Sequence, residues 1–271
     1  MGFFSKFIGI SLIGIVLLGI LTVFAGYKYV LPIIQGPPQI ELQVDSGVVE
    51  VLDGDWKQIT KNTNLKQGDS VRTENGEATI VFFGSTIMRL DANTEVKLTE
   101  ANKEDAKIII TLANGRTWNR VIKATDNMVA EGLNLKGIRE YEVQMPNAVA
   151  TVRGTSFSTD SKNIISVVTG KVNVKSDNDE KLVEMSTAKV EKKIEILPLD
   201  ENDPWLQANK KKDSKFDDDL IAQIRAKYWP LIQLAKQKYG LTNEEIDQGI
   251  RDYLAGKLDE DKLKRIEEID S

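Results

Sequence analysis

Two residue types are missing from this 271-residue chain: it has no cysteine and no histidine. Without thiols there are no disulfides, thiolate clusters or cysteine nucleophiles, and no attachment point for a lipoprotein anchor or a palmitoyl chain. Without imidazole there is no Ser-His-Asp triad, and most catalytic zinc, copper and non-haem iron sites lose a ligand they need. The enzyme chemistry left over is narrow: carboxylate pairs, Ser-Lys dyads or oxygen-only cation sites. A basic surplus is missing too, since 36 Lys and Arg stand against 41 Asp and Glu for a formal net charge of −5. Binding DNA or RNA rests on neutralising phosphates, so no nucleic-acid partner is expected. No cofactor is expected either, and the chain is read as a non-enzyme.

Charge is also absent from one long stretch. Between Lys6 and Lys28, Phe7 to Tyr27 carries none, and only Ser11 and Thr22 are distinctly polar. About 20 helical residues at about 1.5 Å each cross a hydrocarbon core of about 30 Å. Residues 7–30 are therefore expected to form one transmembrane helix, after a short cytoplasmic tail (1–6) and before a stalk (31–38) stiffened by Pro32, Pro37 and Pro38. The competing reading is a cleavable signal peptide with Val23-Phe24-Ala25 before Gly26, although such apolar regions normally run about 7–15 residues. Lys6 and Lys28 flank the run almost symmetrically, so charge bias orients it weakly. Signal-anchor behaviour places the bulk of the chain outside the cytoplasm, on the cell membrane. Gly9, Gly14 and Gly19 are five apart and do not form the GxxxG helix-packing pattern.

From residue 39 to 199 the dominant period is two, as in Ile40-Glu41-Leu42-Gln43-Val44 and Lys171-Val172-Asn173-Val174-Lys175. That period means half-buried strands. Turn signals punctuate it closely: Asp53-Gly54-Asp55, Gln67-Gly68-Asp69, Asn75-Gly76, Asn114-Gly115 and Thr169-Gly170. Short strands with little helix between them predict an all-β unit rather than βαβ. Residues 124–139, where Gly132 and Gly137 interrupt the apolar positions, read as an irregular or partly helical excursion.

Four fragments in order carry a family resemblance. They are Gly68-Asp69-Ser70-Val71-Arg72-Thr73; Ala78 to Phe82 with Gly84-Ser85 and Met88-Arg89-Leu90; Asn114-Gly115-Arg116-Thr117-Trp118; and Ala150-Thr151-Val152-Arg153-Gly154-Thr155-Ser156-Phe157. Together, over residues 42–197, they resemble the FecR domain, the last being the most specific. The resemblance implies a mainly β fold, a twisted β-roll or β-solenoid, in an extracytoplasmic domain that senses or transmits envelope signals through protein contacts without catalysis. It singles out Gly68, Asp69, Thr73, Gly84, Arg89, Leu90, Gly115, Arg153, Gly154, Thr155 and Phe157 as family-motif residues. In the family's namesakes an amino-terminal cytoplasmic segment binds a sigma factor. Six residues before the expected helix leave no room for one, so direct sigma binding is not expected.

The residues themselves give those positions a structural reading. A glycine between two strand runs marks a bulge or a close backbone approach, which suits Gly154. Arg153 has a fork of donors for strand-end carbonyls or a carboxylate, and Thr155 a hydroxyl for neighbouring backbone. The alternatives are weaker. Glu41, Glu50, Glu77, Asp91, Glu95 and Glu100 offer carboxylates for glycoside hydrolysis, but alternation puts most on solvent faces. Asp200-Glu201-Asn202-Asp203 and Asp217-Asp218-Asp219 lack the EF-hand spacing, and the second run reads as a helix start. Trp56, Trp118 and Trp205 are candidates for stacking on a glycan, against the commoner use of large aromatics as core.

After Leu199 the charge-dense residues 200–214 read as a linker, and 215–271 as a helical module. Phe216, Leu220, Ile224, Tyr228, Leu231 and Ala235 recur at helical spacing, and Pro230 is expected to kink or divide that helix. Gly240 is a stop signal, Thr242 and Glu245 form a capping box for a second helix with Ile246, Ile250, Tyr253 and Leu254, and Asp259 opens a third. The whole reads as a single-pass envelope protein with an unidentified protein partner; the alternative is a structural or glycan-associated surface protein.

Overall fold

In a computed structural model of the chain, the residues described are 40–122, 137–152 and 154–254. The expected tail, transmembrane helix and stalk, most of the 124–139 excursion, Arg153 and the third carboxy-terminal helix lie outside them. Among the described residues no helix is long and apolar enough to cross a membrane.

The chain enters a first sheet as β1 (Ile40–Ser46), crosses to a second as β2 (Val49–Asp53) and β3 (Asp55–Ile59), returns as β4 (Thr63–Leu65) and crosses again as β5 (Ser70–Thr73). It then alternates. β6 (Glu77–Phe82) and β7 (Thr86–Leu90) join the first sheet, β8 (Glu95–Asn102) and β9 (Lys107–Asn114) the second, and β10 (Arg116–Arg120) the first. β11 (Glu140–Met145) and β12 (Ala148–Val152) follow in the second, β13 (Ser156–Asp160) and β14 (Ile164–Thr169) in the first. β15 (Val172–Lys175) and β16 (Glu180–Val183) close the second, β17 (Ser186–Val190) and β18 (Ile194–Pro198) the first.

Each sheet has nine strands, ordered β18-β17-β14-β13-β10-β7-β6-β1-β4 and β16-β15-β12-β11-β9-β8-β5-β2-β3. Apart from β4 outside β1 and β3 outside β2, both orders follow the chain, so the two sheets advance together. Among the described strands, every pairing is antiparallel except β9 with β11. That pair is parallel because the chain leaves for the first sheet and returns between them, the long crossover that parallel neighbours require. The mainly β expectation therefore holds as sandwich-like sheets built from hairpins, rather than as a solenoid of parallel rungs.

The core lies between the sheets. Alternation puts Ile108, Ile110 and Leu112 of β9 and Tyr141 and Val143 of β11 inside, facing Leu42, Ile80, Leu90 and Phe157. Fully burying side chains of this size is worth about 1.5–3 kcal/mol each. β10 inverts the usual alternation. Its Thr117 and Asn119 face the core, while Trp118 lies on the outer side of the first sheet, yet all three are fully buried.

Among the described residues, those through Lys210 form one compact unit with the sheets, and those from Lys211 onward belong to another. α1 (Pro204–Lys227) starts eleven residues earlier than charge density predicts, so the stretch read as a linker is mostly helix. Asp203 caps it, its Oδ1 accepting from the Trp205 and Leu206 amides at 2.8 and 3.3 Å. Pro204 suits the first helical position, whose N–H needs no partner. Asp217 to Asp219 accordingly sit inside α1, not at a helix start. Pro230 divides the helix as expected: α1 ends at Lys227 and α2 (Trp229–Tyr239) follows, closed by Gly240 at φ +69°. In the helical unit Leu220, Ile224, Tyr228, Ile232, Ile246 and Ile250 are buried. The Thr242–Glu245 capping box forms in both directions, at 3.2 and 2.8 Å, at the head of α3 (Asn243–Leu254).

Candidate functional site

The motif residues gather where the chain passes from one sheet to the other. Gly68-Asp69 makes the passage into β5: the Gly68 N–H donates to the Leu98 carbonyl at 2.7 Å, and the Asp69 carboxylate takes the Lys66 N–H at 2.9 Å. Thr73, buried at the end of β5, donates its hydroxyl to the Asp91 carbonyl and accepts the Thr94 N–H, which locks the β7–β8 passage. Gly115 makes the β9–β10 passage at φ +82°, pressed so closely against Asn93 and Thr94 that an added Cβ would lie 2.4 Å from Thr94 Oγ1. Gly154, at φ +78°, makes the β12–β13 passage. Its carbonyl would stand 2.8 Å from a Cβ on Gly170, the glycine of the β14–β15 passage, and the Thr155 hydroxyl donates to Lys171 O at 3.0 Å. Gly84 with Phe83 turns the β6–β7 hairpin through positive φ.

Successive passages and hairpin turns are hydrogen-bonded to one another. Glu74 N–H donates to Val48 O, Asn93 N–H to Glu74 O, the Asn114 amide to Asn93 O, Ser161 N–H to Gly115 O and Val190 N–H to Asn163 O. The result is a spine of turns along the sandwich, which is the roll-like part of the fold. Of the remaining motif residues, Leu90 and Phe157 fill the core, and Arg89 is buried on the outer side of the first sheet. Arg153 lies outside the described residues. Within the described set the motif side chains reach backbone, one another's turns and the core, and they do not converge on an open cleft.

Sequence reasoning missed the polar chain inside the core. Tyr141 of the second sheet donates its hydroxyl to Asn119 Oδ1 of the first at 2.7 Å, Asn119 donates to Thr117 Oγ1 at 3.1 Å, and the Thr117 and Thr159 hydroxyls meet at 2.7 Å. Phe82 and Phe157 pack edge-on to Tyr141 at 6.3 and 6.2 Å. Burial away from water pushes the Tyr141 hydroxyl well above its ordinary pKa, so it stays a neutral donor. The signal was the Thr-x-Asn of β10, two polar residues at positions that the two-residue period assigns to one face.

The alternative sites do not assemble. Asp91 is held by Arg116 at 2.7 Å and Glu50 by Arg72 at 2.5 Å, so each carboxylate has a structural cation as partner. Trp118 is fully buried, and the half-buried Trp56 is stacked by Arg72 at 4.4 Å. Among the described residues no group of acidic side chains could hold a metal ion. The outer face of the second sheet is polar, crossed by Thr99, Thr111, Gln144 and Glu142 in hydrogen-bonded sequence. The edge of the first sheet at β18 is blunted: Asp179 takes the Ile194 N–H at 3.0 Å, Lys181 donates to the Ile194 carbonyl at 2.6 Å, and Pro198, on the same edge, has no N–H.

Residues 69–173 match the family described as FecR protein. The FecR resemblance read from the motifs is thereby borne out over the part of the sandwich that holds the spine of turns. No curated protein matches the chain. Two crystal structures of a "putative anti-sigma factor" from Parabacteroides distasonis ATCC 8503 are similar to it. One is 17% identical over 47% of this chain and 57% of its own, with a TM-score of 0.37. The other is 17% identical over 46% and 56%, with a TM-score of 0.36. The chain thus spans a little over half the length of either.

Proposed function

We propose that this is a membrane-anchored, extracytoplasmic FecR-domain protein that senses or transmits an envelope signal through protein contacts and catalyses no reaction. The observation that carries this reading is the FecR match over residues 69–173, in a unit whose described motif residues brace turns and core. Such a unit is a rigid scaffold, and its use lies in what its loops and open edges present. With β18 blunted, the remaining edges are β4, β16 and β3, and we assign the contact region to the β3 edge and the loops beside it. The charge-free run of residues 7–27 supports the anchor.

Two measurements test the reading. A reporter fused after Ser271 is expected to be active only outside the cytoplasm, and an internal signal would refute the placement. Affinity capture by the full chain, with cross-linking, is expected to yield a stoichiometric envelope protein that Lys57→Glu on β3 releases while the melting temperature stays unchanged. Retention on wall polysaccharide alone would favour the structural, glycan-associated alternative.

A further inference from the structure

Outside the sandwich core lies a second, smaller cluster. Its buried members are Trp118, on the outer side of β10, Val168 of β14 and Leu206 of α1, with Leu199 and Trp205 packed against them. Trp205 meets Trp118 edge-on at 6.1 Å, and the Arg116 guanidinium stacks over the Trp205 ring at 3.8 Å. Arg116 is also paired with Asp91 at 2.7 Å and approaches Asp203, the cap of α1, at 3.8 Å. One cation therefore joins a sheet carboxylate, the helix cap and the tryptophan.

We propose that residues 199–210 form a strap over the first sheet that opens without unfolding the sandwich. Three features support it. The strap contributes no side chain to the space between the sheets, so its release leaves that core intact. Its one ionic fastening to the sheet, Arg116 with Asp203 at 3.8 Å, is about one-third exposed, hence screened by salt and weak. The closed state also carries a cost: Asn209 is buried, and while its Nδ2 donates to Trp205 O at 3.0 Å, its Oδ1 has no hydrogen-bond partner among the described residues. Opening would rehydrate that oxygen and uncover an apolar patch floored by Trp118. The strap is a conformational device independent of the proposed signalling role.

Hydrogen exchange on the full chain tests the proposal by comparing the amides of residues 205–210 with those of β9 and β11. In Trp205→Ala the strap amides are expected to exchange roughly tenfold faster or more while β9 and β11 are unchanged, as for a local opening. In Asn209→Leu, which removes the unpartnered oxygen together with the Nδ2 donation to Trp205 O, the strap amides are expected to slow. Raising salt is expected to speed the strap alone. Strap and strand amides accelerating together in Trp205→Ala, or no slowing in Asn209→Leu, would overturn the proposal.

Discussion

Glycines in the turns are not equivalent, and the difference is measurable. Gly54 and Gly115 both have positive φ, at +74° and +82°, but nothing lies within 4 Å of a Cβ on Gly54 whereas Asn93 and Thr94 crowd one on Gly115. Gly54→Ala is expected to cost about 1 kcal/mol, the left-handed penalty alone. Gly115→Ala adds overlap with backbone and should cost about 3 kcal/mol or more, read from urea unfolding. Inside the core, Tyr141→Phe leaves Asn119 Oδ1 without its donor and is expected to cost about 1–3 kcal/mol. The raised pKa of Tyr141 also sets a sign. Its proton is held more tightly in the fold, so this contribution is complete below the ordinary tyrosine pKa of about 10 and is lost as pH rises above it. A spectrophotometric titration should show one tyrosine that ionises only as the chain unfolds.

At the level of elements, the edge of β18 makes its own prediction. The Ile194 amide, the largest influence on Asp179, holds that carboxyl below the usual aspartate range. A depressed carboxylate stabilises above the ordinary pKa of about 3.9 and ceases to do so as pH falls below it. The joint change Asp179→Ala with Lys181→Ala should open the edge and appear as self-association in sedimentation velocity. In the helical unit, Thr242→Ala is expected to remove about 1 kcal/mol from α3 and to speed exchange in its first turn. Much at this scale was legible beforehand. The two-residue period marked the strands, and Pro230, Gly240 and the Thr242–Glu245 box marked helix ends, because these signals are local. What was not legible depended on partners distant in sequence. The charged 200–214 stretch looks like a linker until Trp118 and Val168 supply a surface for Leu206, and Trp118 looks like sandwich core until its outward face is seen to have a cover of its own.

For the molecule as a whole, the boundary near Lys210 matters more than the one that composition suggests near Leu199. A chain of residues 36–210 is expected to keep its β circular dichroism and a blue-shifted Trp118 emission. One ending at Leu199 should keep its sheets but show red-shifted emission and associate, having lost Trp205 and Leu206. The order of strands in the two sheets has a consequence for how such a body is lengthened or shortened. Since each hairpin rests mainly on the pair laid just before it, a duplicated or deleted pair at the β16–β18 end changes the length of the stack without rethreading the rest. Size in this architecture is accordingly adjustable in whole steps, as courses are added to a wall, while the glycine-cornered middle keeps its plan.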